Sequence, residues 1–203
     1  MRVTGLSRLV ENYARKSCRA FPLEELYRLG RGNSERLHLA QLIHQEIAIR
    51  NAQLCKELLL LPFGLAETRG IQKVVECFSS YVKWLSEFPV PSDLSDLPAF
   101  TKLLKQILQD NADVQRTMSG ALSEVRSAMG DARFEEIRSE VDFIFDRFFI
   151  KRIGLRFLIQ HHIEAAEAAE SALLPGASGI IRSVAVGEIL RAAAQEARSA
   201  VQE

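Results

Sequence analysis

Apolar residues recur along almost the whole chain at intervals of three and four, and no segment shows the period-two alternation of a half-buried strand, so the pattern predicts an all-α protein. Four long stripes carry that prediction. The first, Leu39, Leu42, Ile43, Ile47, Leu54, Leu58 and Leu61, follows a start signal at Ser34 and Glu35 and stops at Pro62. The second runs from Ile71 to Phe88 through Val74, Val75, Phe78, Val82 and Leu85. The third extends from Leu97 to Met129 with Phe100, Leu104, Ile107, Val114, Met118, Leu122 and Val125 in phase, and Asn111 interrupts it. The fourth, from Ala132 to Leu174, places Phe134, Ile137, Val141, Ile144, Phe148, Leu155, Ile159 and His162 on one side. Short connections, among them PVPSDLSDLP and the Gly130-Asp131 turn, predict an up-and-down four-helix bundle over residues 34–175.

Two segments flank that bundle. Residues 1–33 hold a basic helical stretch and a short helix, PLEELYRL, opened by Pro22 and stopped by Gly30 and Gly32. Residues 176–203 read as two β-branched residues, a turn and an Ala-rich helix.

Composition narrows the function. A chain of 203 residues, 47% hydrophobic, suffices for one substantial core. Basic and acidic residues balance at 26 each, so no net field draws the protein to nucleic acid. The longest apolar run, Leu58 to Leu65, is broken by Pro62 and Gly64 and is too short for a bilayer, which predicts a soluble protein without membrane insertion. Cys18, Cys55 and Cys77 are widely spaced and odd in number, arguing for reduced thiols and against a disulfide scaffold or zinc site. At the N-terminus Arg2, Arg8, Arg15, Lys16 and Arg19 face a single acid, Glu11. That suits a mitochondrial targeting helix and, equally, a basic amphipathic helix capping the domain.

Candidate chemistry lies in the polar residues that intrude on the stripes. Within FDRFFIKRIGLRFLIQHH, Arg152 falls four residues after Phe148 and three before Leu155, on or beside the packed face, with Arg156 one turn further. A guanidinium stays charged, so its burial calls for an acceptor. Two accounts stand: an internal partner, such as Glu46 of the i,i+4 pair Glu46 and Arg50, or a ligand carboxylate in a pocket closed by Phe78 and Asn111. Adjacent His161 and His162 point about 100° apart on a helix, the wrong geometry for one metal; a histidine phosphotransfer bundle is a remote alternative to core histidines. The eleven glycines include no phosphate-cradling loop.

These residues also carry a resemblance. FDRFFIKRIGLRFLIQHH resembles the DRF, RI and R-x-L-x-x-x-H elements of the mitochondrial 2-oxoacid dehydrogenase kinases, the pyruvate and branched-chain enzymes. SRLVENYARKSCRAFPLEELYRLG is similar to their N-terminal segment, LIHQEIAIRNAQLCKELLLLPF to their first bundle helix with its Q/R-E-L-P-V-R motif, and GIIRSVAVGEILRAAAQEAR to the lead-in to their catalytic domain. LPF, SEFPVP and the His pair lean towards the branched-chain enzyme. The family's proline in the first-helix motif is Ala48 here, its third-helix histidine is Asn111, and a second-helix tyrosine is Phe78.

The resemblance implies the N-terminal regulatory bundle of such a kinase, placed in the mitochondrial matrix. ATP and Mg²⁺ would belong to an α/β domain absent from this sequence, so no catalytic residue is assigned and the chain alone is expected to be inactive. A stand-alone helical adaptor on the same dehydrogenase core is the alternative. By the resemblance, Arg152, Arg156, Phe78, Tyr81, Asn111 and Ile47 line an allosteric site for a small 2-oxoacid. Phe21, Leu26, Leu29 and Leu42 match a docking pocket for the lipoyl domain of the acyltransferase core, or else simply fasten the N-terminal segment to the bundle.

Overall fold

A computed structural model describes residues 6–171, 179–181 and 185–202. Among them every regular element is helical, in agreement with the all-α prediction. Residues 1–5 of the basic N-terminal stretch and the predicted helix end at 172–174 lie outside the described residues.

The N-terminal segment forms α1 (Arg8–Ala14), capped by the Ser7 hydroxyl on the Val10 amide, and α2 (Leu23–Leu29), opened by Pro22. The first stripe is α3 (Asn33–Leu59), which runs uninterrupted through Ala48, where the family's motif has its proline. Thr68 caps α4 (Arg69–Glu87) through the Ile71 amide. A 3₁₀ turn (Leu94–Asp96) with a reciprocal capping box leads into α5 (Leu97–Asp110).

The third stripe departs from expectation. Instead of one helix from Leu97 to Met129, α5 ends at Asp110 and α6 (Val114–Met129) begins after a turn at Asn111, Ala112 and Asp113. At the break Arg152 Nη2 takes the Asn111 carbonyl oxygen at 2.6 Å, the acceptor that a continuous helix would offer to the amide four residues on, and Nε takes the Asn111 side-chain Oδ1 at 3.3 Å. Gly130 at φ 85° then turns the chain into α7 (Asp131–Ser171), and α8 (Val186–Gln202) follows.

Packing is set by α3. It lies antiparallel to α4, with His44 Nε2 beside Phe88 O at 2.9 Å and Cys55 Sγ 3.5 Å from Ser79 Oγ. It also lies antiparallel to α7, where Lys151 pairs with Glu57. α5 packs on the second half of α7 through Thr101 and His162, and α6 packs on α4, where Gly70 meets Thr117 and Ala121. α1 and α2 sit on α3, so Val10, Leu26 and Leu29 join one continuous core. α8 is different: each side chain from 185 to 198 is exposed.

Candidate functional site

Midway along the helices a polar layer interrupts the core. Arg152 is buried, 8% exposed, and its hydrogen bonds go to the side chain and backbone of Asn111, itself buried. One turn on, the half-buried Arg156 donates from Nη1 to Leu108 O at 3.4 Å. Neither guanidinium forms an ion pair among the described residues. Burial lowers the Arg152 pKa, and the neighbouring charge of Arg156 lowers it further, with Tyr81 opposing. Guanidinium acidity is so weak that Arg152 remains a cation, held by neutral oxygens alone.

Glu46 is not the internal partner that would have discharged it. Its Oε1 accepts from Arg50 Nε at 2.8 Å and from the Arg19 amide at 3.0 Å, on the side of α3 that faces the N-terminal segment. Helical spacing pairs Glu46 with Arg50 correctly; it does not reveal which neighbouring segment the pair serves.

The remaining predicted site residues divide. Phe78 and Tyr81 are buried on α4 with ring centroids 6.1 Å apart, and Phe78 stacks on Phe148, one turn before Arg152. Cys77 Sγ donates to Tyr81 Oη at 2.8 Å, and burial raises the pKa of both groups. Ile47 is buried on α3, one turn further from the Arg152 level than Asn51. Asn51 is the residue that sequence reasoning passed over. It lies in phase with Ile47, Leu54 and Leu58, so the rule that singles out Asn111 as a polar residue inside an apolar stripe would have found it too.

The predicted docking residues sit around α2. Leu26 and Leu29 are buried in the core, while Phe21 and Leu42 are half-buried, with the Arg19 guanidinium 5.1 Å above the Phe21 ring. A surface cleft of about 430 Å³ lies on the solvent side of α2, lined by Pro22, Glu24, Glu25, Tyr27, Arg28 and Arg31.

His161 and His162 diverge as helical geometry requires. His161 reaches Leu26 O and His162 reaches Thr101 Oγ1 at 3.0 Å. Among the described residues no three His, Cys, Asp or Glu side chains cluster to hold a metal, and no helix is long and apolar enough to cross a membrane.

Comparison with known proteins decides the kinship. The sequence profile described as "Mitochondrial branched-chain alpha-ketoacid dehydrogenase kinase" matches residues 20–187, most of the chain. The chain belongs to the mitochondrial dehydrogenase kinase family. Similar curated proteins include the pyruvate dehydrogenase (acetyl-transferring) kinase of Arabidopsis thaliana, 30% identical over 125 residues, covering 62% of this chain and 33% of that protein. Isozyme 1 of Rattus norvegicus is 27% identical over 162 residues, 78% of this chain and 37% of that protein. Isozyme 4 of Homo sapiens is 28% identical over 160 residues, 77% of this chain and 38% of that protein. The chain therefore spans little more than a third of the length of these relatives, all of which are named as mitochondrial.

Proposed function

We propose that this chain supplies the N-terminal regulatory and docking bundle of a 2-oxoacid dehydrogenase kinase acting in the mitochondrial matrix. The supporting observation is the pair Arg152 and Arg156, partly withdrawn from water with no carboxylate beside either among the described residues, in a chain of this family. A buried cation held only by neutral oxygens among the described residues favours an anion, and the buried apolar side chains Phe78 on α4, Ile107 one turn before Asn111 and Leu155 between the two arginines suit a short alkyl chain. The ligand is a small carboxylate such as a branched 2-oxoacid.

The N-terminal segment is the docking element in this reading. With Leu26 and Leu29 committed to the core, Phe21 and Leu42 are the predicted docking residues that retain accessible surface for the lipoyl-bearing domain of the acyltransferase core. ATP, Mg²⁺ and phosphoryl transfer belong to a part of the relatives that this chain does not span.

Thermal-shift titration with 2-oxoisocaproate tests the carboxylate site. A charge-assisted bond to a guanidinium contributes about 1.5 to 3 kcal/mol, so Arg152→Ala should weaken binding by roughly 10- to 150-fold. Equal shifts in wild type and variant would refute it. For docking, Phe21→Asp should weaken capture of a lipoylated domain and leave the helical content unchanged; undiminished capture would remove Phe21 from the interface.

A further inference from the structure

Asn51 is completely buried, and only half of its amide is satisfied. Nδ2 donates to Ile47 O at 2.8 Å, whereas Oδ1 is buried with no hydrogen-bond partner among the described residues. The donation fixes the amide's orientation, because the flipped group would set oxygen against the Ile47 carbonyl oxygen. Folded proteins rarely leave a buried acceptor without a donor, so the position asks for one.

Helix register sets the level of Asn51 along the neighbouring helices. Asn51 precedes Cys55 by one turn, and Cys55 contacts Val75 and Ser79 of α4; the antiparallel α3 and α4 therefore bring Asn51 level with Phe78 to Val82. On the α7 side, Glu57 pairs with Lys151, and a Cβ at Gly154 would lie 3.8 Å from Arg50 Nη1. That register sets Asn51 level with Leu155, between the turns that carry Arg152 and Arg156. Among the described residues, one level of the helical core thus holds two guanidiniums without a carboxylate and one amide oxygen without a donor.

The two deficits are complementary to a single kind of molecule. A 2-oxo or halogenated acid brings the carboxylate and no donor. A 2-amino acid brings a donor, but its ammonium would be set beside two cations in a medium that screens poorly. A 2-hydroxy acid brings the carboxylate and a neutral O–H on the adjoining carbon. We infer that Asn51 is a specificity-determining residue of the carboxylate site and that the site selects small 2-hydroxy acids over 2-oxo acids. This rests on the carboxylate reading above and sharpens its ligand class.

Three acids with one carbon skeleton test it: 2-hydroxyisocaproate as each enantiomer, 2-oxoisocaproate and 4-methylpentanoate, titrated calorimetrically into wild type, Asn51→Leu and Arg152→Ala. The wild type should bind one hydroxy enantiomer at least about fivefold more tightly than either 2-oxoisocaproate or 4-methylpentanoate, the ratio of one neutral hydrogen bond. Asn51→Leu should bind the acids equally. An unchanged or raised melting temperature shows that the variant folds, since leucine removes an unsatisfied polar atom. A hydroxy preference that survives in Asn51→Leu, or is absent from wild type, overturns the inference; the loss caused by Arg152→Ala still reports on the carboxylate site separately. If none of the acids binds wild type, the carboxylate reading fails first and the inference falls with it.

Discussion

His161 Nε2 lies 2.9 Å from the carbonyl oxygen of Leu26, so a side chain deep in α7 holds the backbone of α2. Its other nitrogen, Nδ1, accepts from the Ile180 amide at 3.3 Å. Both bonds are satisfied by one tautomer of the neutral ring, with the proton on Nε2. Protonating Nδ1 would set two donors against each other and release Ile180. His162 is fully buried next to it, and its pKa is pushed down to about 4 by burial, with His161 and Arg36 adding to the effect. Burial lowers the His161 pKa as well.

Stability should therefore fall on mild acidification. Both histidines have folded pKa values below the ordinary value of 6.5, so the unfolded chain binds protons first as pH drops. Both contributions are complete above pH 6.5 and fall as pH drops; that of His162 is lost between there and about pH 4. For His162 the loss is on the order of 3 kcal/mol. Urea unfolding at pH 7.5 and pH 4.5 should show it, and His162→Gln should flatten the difference; identical profiles in wild type and variant would rule out the buried neutral imidazole as its source.

Much of this architecture is legible in the stripes, because a buried helix face leaves its period in the sequence wherever packing is apolar. The break between α5 and α6 is not legible. Asn111 sits in a stripe that resumes in phase at Val114, and the contact made at the break, the capture of the Asn111 carbonyl by Arg152, comes from a residue forty-one positions away. The same limit applies to Glu46, whose i,i+4 partner is plain and whose tertiary partner, the Arg19 amide, is not. Asn111 is visible in the sequence as an intruding polar residue, but its partnership with Arg152 requires the fold.

Two glycines should respond to the same substitution with opposite sign. A Cβ at Gly70 would lie 2.9 Å from the Thr117 carbonyl oxygen and 3.1 Å from Ala121 Cβ, so Gly70→Ala must push α4 and α6 apart at the cost of about 1 to 3 kcal/mol. At Gly120, within α6, nothing lies within 4 Å of the added methyl. Gly120→Ala should stabilise the protein by about 0.5 to 1 kcal/mol through helix propensity. Paired denaturation curves check both, and a stabilised Gly70→Ala would rule out the close approach of Gly70 to the Thr117 carbonyl as the factor that sets the α4–α6 spacing.

Glu46 fastens the N-terminal segment. Its carboxylate holds both the Arg19 amide and Arg50 Nε, while Arg50 Nη2 donates to Arg19 O at 2.8 Å. Because Arg50 is partly exposed, the pair is worth less than a fully buried one; Glu46→Ala should cost about 2 kcal/mol, and Glu46→Gln, which keeps an acceptor, about half that. Limited proteolysis should cut Glu46→Ala first near Arg19. Wild-type resistance there would show that α1 and α2 are held by apolar packing alone.

In the proposed carboxylate site, Asn111 sets how binding should depend on pH. It contacts Arg152 and has no titratable proton, and the arginines stay cationic, so affinity of the wild type for a small carboxylate should be constant from pH 6 to pH 8. Asn111→His restores the residue type the resembled family has at this position. An imidazole beside Arg152 and Arg156 is held neutral while the site is empty, because a third cation is disfavoured there; a bound anion raises its pKa. The complex then takes up a proton that the free protein does not, and affinity must rise as pH falls. Calorimetric titration of both proteins at pH 6 and pH 8 should show a flat wild type and a several-fold tightening at pH 6 in Asn111→His. A flat profile in the variant would place the bound carboxylate away from Asn111, and therefore away from Arg152.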